Sequence, residues 1–209
     1  MKLAVLGGTG KSGRHLVEQA LAAGHQVVVL TRNAGKLGID HEQLSVVQGD
    51  VQDAARVSEA IAGADAVLSV LGPTSNQPTY EVSRGMENVL AAMREQGVRR
   101  LIQTLGAGVA DPNDRPGLLD RAITALLKLT ARYVYEDMLR VARCIRATDL
   151  DWTLVRVPML TDDPPRGDVR VGYVGQGIGP RVSRADVAAF VLRQVSDDTY
   201  VRQAPAISN

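Results

Sequence analysis

The stretch Leu3-Ala4-Val5-Leu6-Gly7-Gly8-Thr9-Gly10-Lys11-Ser12-Gly13 decides the fold. A short aliphatic run enters a glycine-rich turn, and a helical pattern follows with Leu16, Val17, Ala20 and Leu21 on one face. Where the chain reverses, the turn needs a residue without Cβ. A second glycine lets a pyrophosphate reach the backbone, and a third lets helix and strand pack closely. The helix amino terminus then offers free N–H groups and a partial positive charge to phosphates. Gly7, Thr9, Gly10, Lys11, Ser12 and Gly13 are therefore the expected cradle of a dinucleotide. Strand before and helix after are the context that this motif requires. Gly10-Lys11-Ser12 imitates the end of a P-loop, whose first glycine would fall five residues earlier. That position is Val5, inside the strand. This argues against a nucleotide triphosphatase and leaves Lys11 along the dinucleotide phosphates.

Outward from this unit, apolar runs alternate with helical stretches. Gly24 ends the first helix, as a residue free to take positive φ should. Further strands are expected at 26–30, 45–48, 65–71, 99–104 and 151–157, with helices at 57–61 and 80–96. Apolar strands separated by helices indicate an α/β fold: a Rossmann doubly wound parallel sheet with helices on both faces. One domain, 1–209, is expected, with a small C-terminal substrate-side region. Gly72–Thr79, Gly106–Gly117 and Pro158–Asp168 are rich in Gly, Pro, Asp or Asn, and each follows a strand. Loops at strand carboxyl ends form the ligand crevice of such sheets, so 106–130 and 158–180 are read as the substrate side. Leu118, Leu119, Ala122, Ile123, Leu126 and Leu127 form an apolar helical stripe there. Such a stripe is core or dimer surface by default, and its position also makes it a candidate wall of the substrate cleft.

The end of the second strand sets cofactor preference. A cofactor without a 2′-phosphate usually meets an acid there, which accepts hydrogen bonds from the ribose. Here Thr31-Arg32-Asn33-Ala34-Gly35-Lys36 carries two cations and no acid. Arg32 can grip a phosphate with its planar fork and Lys36 can add a second charge. NADP(H) is therefore expected over NAD(H), the competing reading being two solvated surface cations.

Composition removes other classes. The 209 residues carry a net charge of +1, so no global field recruits nucleic acid or anionic lipid. Seven aromatics are too few for a base-stacking platform. The single cysteine, Cys144, excludes an internal disulfide and a multi-cysteine metal site. His15, His25 and His41 are dispersed, so no metal site is expected. No apolar run approaches the roughly 18 to 20 residues of a membrane span, and the first residues lack the apolar length of a signal peptide. The expectation is a soluble, cytoplasmic protein acting on a small molecule.

With these residues in place, the chain resembles the atypical short-chain dehydrogenase/reductase group of NAD(P)H-binding proteins, including flavin/biliverdin reductase-like and NmrA-like members. Gly7-Gly8-Thr9-Gly10 with Gly13 matches its opening, and Gln48-Gly49-Asp50-Val51 the end of its third strand. Asp149 to Pro158 and Val182 to Ala188 match its closing half. The resemblance implies that Asp50, beside Val51, takes the adenine amino group and that Leu71 and Gly72 line the ribose. It places Thr104 beside the nicotinamide, with the backbone of Pro158, Met159 and Leu160 near its carboxamide. Relatives that act on alcohols and carbonyls use a tyrosine with a lysine four residues later. That register falls here on Tyr133 and Asp137, and a carboxylate cannot supply the lysine's charge. Thr104, Tyr133 and Asp137 are the side chains expected nearest the reaction, with Tyr135 a further cleft residue. The function expected from this departure is NADPH-dependent hydride transfer to a planar conjugated acceptor such as a flavin or quinone. The alternative is a non-catalytic NADP(H)-binding redox sensor that acts on a protein partner. A nucleotide-sugar epimerase is the weaker third reading, because the usual large substrate lobe is missing.

Overall fold

Four consecutive residues of β1 (Lys2–Leu6) are buried, and so are five of six in β2 (Gln26–Thr31). Strands apolar on both faces must be covered on both, which selects a parallel sheet between helical layers. The computed structural model describes residues 1–209 and shows that arrangement. The remaining main strands are β3 (Leu44–Gln48), β4 (Ala66–Ser69), β5 (Arg100–Gly106) and β6 (Asp151–Val157), followed by the short β7 (Met159–Thr161), β8 (Arg170–Gly172), β9 (Arg181–Ser183) and β10 (Ala206–Ser208). The helices are α1 (Lys11–Ala22), α2 (Ala54–Ile61), α3 (Glu81–Gln96), α4 (Leu118–Thr130), α5 (Arg132–Arg146) and α6 (Arg184–Arg193).

The sheet order is β3-β2-β1-β4-β5-β6-β10-β8, with every neighbouring pair parallel except β10 with β8. β7 and β9 form a separate parallel pair. Helices α1 and α6 cover one face of the large sheet, and α2, α3 and α5 the other. The chain runs outward from β1 to β3 and then crosses back to β4. That reversal leaves a crevice beyond the carboxyl ends of β1 and β4. Gly7 follows one of those strands and Leu71 the other. A Cβ on Gly7 would lie 3.2 Å from the Leu71 amide nitrogen, so the two loops touch.

Local differences from the sequence expectations have physical causes. The fourth strand is shorter than 65–71, because Leu71 leaves the sheet to line the crevice. Of the alternatives for the 118–127 stripe, core is excluded, because no residue of α4 is buried. Arg156 on β6 lies in a run that reads as apolar strand, yet its guanidinium is wholly buried. It pairs with both oxygens of Asp114 at 2.7 and 2.8 Å and donates to the carbonyls of Ala204 and Val109. This bidentate pair pins the 106–117 segment to the sheet.

Candidate functional site

The glycine turn is built as its sequence demands. Gly7 sits at φ +84°, and its carbonyl accepts from the Gly10 amide at 3.0 Å. A Cβ on Gly13 would lie 2.0 Å from that carbonyl, so only glycine lets α1 begin against the turn. A Cβ on Gly10 meets only the same oxygen, at 3.3 Å, and otherwise faces open space. This is the space that a pyrophosphate needs beside the first turn of α1.

A cleft of about 310 Å³ lies at the crevice, within the size range of small-molecule sites. Gly7 and Thr9 line it from the glycine turn, Arg32 and Lys36 from the segment after β2, Asp50 and Val51 from beyond β3, and Leu71 and Gly72 from beyond β4. Eight of the expected cofactor contacts thus meet in one place, drawn from four strand ends. Arg32 is exposed, with its Nε 3.9 Å from a carboxylate oxygen of Asp50. The hydroxyls of Thr9 and Thr31, in the same cleft, lie 3.3 Å apart. Thr31, Asn33, Gly49, Thr74 and Glu81 also line the cleft and were not anticipated. Asn33 lies inside the segment read for cofactor preference, whereas Glu81 carries no local signal at all.

The other expected residues lie elsewhere. Gly10, Ser12 and Gly13 sit at the turn and the start of α1, beside the cleft but outside its lining. Lys11 is engaged with a residue that the sequence did not flag. Its Nζ lies 2.7 Å from Asp162, whose other oxygen accepts from Arg184 Nε at 2.7 Å. The hydrogen bonds from Lys11 and Arg184 hold the Asp162 carboxyl below its usual range. The glycine turn is thereby tied to the segment after β7 and to α6.

Thr104, half-buried on β5, donates to the Ser69 carbonyl at 3.5 Å, and its β6 partner in the sheet is Val155. Pro158 and the exposed Met159 follow β6 directly. Tyr133, in the first turn of α5, donates its amide to Asn76 at 3.0 Å and meets the Tyr80 ring edge-on at 6.5 Å. Tyr135 lies under the ammonium of Lys128, 5.3 Å from the ring centre.

Asp137 requires a correction. Expected beside the reaction, it is instead buried, and its two oxygens accept the amides of Val82 and Ser83 at 3.2 and 3.0 Å. The residue before α3 is Tyr80 at φ +50°, which supplies no side-chain cap. Asp137 therefore satisfies the orphan amides of α3 from the neighbouring helix. Close by, Tyr80 donates to Glu136 at 2.9 Å and stacks under Arg140, 3.7 Å from its ring centre. The Glu136 hydrogen bond pushes its phenol above the usual range.

A glycine cradle open at Gly10, cations beyond β2 and a carboxylate beyond β3 fit a dinucleotide. A family model described as NAD(P)H-binding matches residues 7–198. The chain belongs to this NAD(P)H-binding family. Among curated relatives, oxidoreductase aflX of Aspergillus parasiticus is 28% identical over 220 residues, covering 95% of this chain and 80% of aflX. The uncharacterized protein YwnB of Bacillus subtilis is 28% identical over 108 residues, 52% of this chain and 48% of YwnB. The chain thus spans most of the first relative but about half of the second. Among solved structures, a short-chain dehydrogenase/reductase of Veillonella parvula in complex with NADP superposes with a TM-score of 0.83 at 20% identity, covering 100% of this chain and 94% of that one. ChuY, an anaerobillin reductase of Escherichia coli O157:H7, gives 0.77 at 20% identity, covering 100% and 97%. The chain is thus a member of an NAD(P)H-binding family with a Rossmann-like fold.

Proposed function

We propose that this oxidoreductase is an NADPH-dependent reductase of a planar conjugated small molecule, such as a flavin or quinone. The observation that carries the reading is the position of Asp137. Where tyrosine–lysine chemistry would need a lysine beside Tyr133, the chain places a buried carboxylate committed to capping α3. Chemistry that draws a proton from a lysine-activated phenol has no such pair to use. Reduction of a conjugated ring needs none, because water or a weak donor can protonate the product while the protein supplies orientation.

NADPH, when bound, supplies the hydride. The chain's part is to hold and aim it. The amides at the start of α1 would hold the pyrophosphate, Asp50 the adenine, and Arg32 with Lys36 the 2′-phosphate. Thr104, Pro158 and Met159 would flank the nicotinamide end, with Tyr133 beside the acceptor. Preference for NADPH rests on two cations and no acid in the segment directly after β2, both lining the same cleft as the glycine turn.

Steady-state oxidation of NADPH and NADH against a panel of flavins and quinones tests this. Turnover with NADPH favoured is the expected result. Tight binding that distinguishes NADP⁺ from NADPH, without oxidation by any acceptor, would replace the enzyme with a redox sensor.

A further inference from the structure

Helix α4 leaves its leucines in water. Leu118, Leu119, Leu126 and Leu129 expose 85, 73, 59 and 82% of their surface, and Ile123 and Leu127 are also exposed. A helix on a globular surface normally buries its apolar stripe. The half-buried positions of α4 are instead polar. Asp120 accepts from the Gly117 amide at 2.9 Å, and Thr124 donates to the Asp120 carbonyl at 2.8 Å. Contiguous apolar surface on a monomer seldom exceeds roughly 300–600 Å². One side of a standard two-fold interface buries on the order of 800 Å².

The order of residues along α4 indicates what covers it. Leu118-Leu119 and Leu126-Leu127 stand symmetrically about Ala122-Ile123. We infer that α4 is the contact helix of a homodimer, packed antiparallel on α4 of a second copy about a two-fold axis at Ala122-Ile123. In that register each leucine pair meets the other leucine pair of the second copy, and Ala122 lets the two backbones approach. The charges do not oppose this pairing. Arg121 and Lys128 lie off the apolar face, with the Lys128 ammonium over the Tyr135 ring of its own chain. No like charges therefore meet across the axis, and the two helix dipoles oppose. A patch that matches itself in this way makes an isologous contact, which closes at two copies. The inference does not depend on the proposed reaction.

Light scattering after size exclusion, on the whole chain over a wide concentration range, reads the outcome. The expected result is a dimer that becomes a monomer in Leu119→Glu and in Leu126→Glu, with unchanged far-ultraviolet circular dichroism. Register is read separately by oxidation with copper phenanthroline. Ala122→Cys, at the axis, should give a disulfide-linked dimer, whereas Thr130→Cys, at the far end of the helix, should not. The native Cys144 adds little background, because burial pushes its thiol up to about 11. A monomer at every concentration overturns the inference, including one that floats with anionic phospholipid vesicles. So does a dimer that survives both leucine substitutions.

Discussion

Two glycines of one motif do different work. Gly13 is required by packing, since any Cβ there collides with the Gly7 carbonyl. At Gly10 a Cβ meets only that oxygen, at 3.3 Å, a contact that a shift of a few tenths of an ångström relieves, so a side chain there should spare the fold and block the ligand. Gly10→Val is expected to remain folded and to abolish NADP(H) binding in calorimetry. At the opposite wall, Arg32→Ala should weaken NADPH by about ten- to a hundredfold, the value of a charge-assisted phosphate contact. NADH should be nearly unaffected, and equal losses for both cofactors would assign Arg32 to general electrostatics. Tyr133→Phe separates two proton sources. A positioned general acid contributes about a hundred- to ten-thousandfold. Since Asp137 is turned to α3, the phenylalanine variant should keep flavin or quinone reduction to within about tenfold on that scale. A larger fall with NADPH binding intact would make the phenol a proton donor.

Elements near the site are joined by buried ions as well as by apolar contact. Asp137 on α5 holds the start of α3, and Asp186 on α6 holds the 158–168 segment through the amides of Arg166 and Gly167. The strongest tie is Arg156 on β6, whose fork meets Asp114. Removing one partner of a buried pair leaves an uncompensated charge, which costs about 3–5 kcal/mol. Arg156→Met should therefore lower stability by about that amount in urea unfolding. A loss below about 1 kcal/mol, the scale of an exposed pair, would show that Asp114 is rehydrated when its partner is gone.

For the molecule as a whole, these ties predict a pH dependence. Burial opposes ionisation of Asp114 and Asp186, yet both titrate below the usual range. The Arg156 guanidinium and backbone amides prevail at Asp114, and the amides of Arg166 and Gly167 with Ser183 and Asn209 prevail at Asp186. A carboxylate whose pKa is depressed on folding adds stability above its unfolded value, about 3.9 for aspartate. That stability disappears as pH falls through the folded value. Urea midpoints should therefore be flat near neutrality and fall steeply in acid. Asp186→Asn should be less stable than the parent at neutral pH and should lose less on acidification. A parallel fall in both proteins would locate the acid sensitivity elsewhere.

How much was legible in the sequence depends on the distance over which each feature is decided. The glycine turn, the apolar strands and the order of strand and helix are set by sterics and periodicity within a few residues. The doubly wound sheet follows from them, and with it the meeting of Gly7, Arg32, Asp50 and Leu71 at strand ends. The role of Asp137 could not be read in this way, because the amides it caps lie 54 and 55 residues away. Local sequence points Lys11 at phosphate, while its partner Asp162 lies 151 positions along the chain. The leucines of α4 show an apolar stripe in sequence, but periodicity says only that a face exists. What that face meets, or that within one chain it meets nothing, is decided by how distant elements fill the space around the sheet. Local conformation is a short-range property of the backbone, whereas burial and charge pairing belong to the packed molecule, and only the tertiary structure decides them.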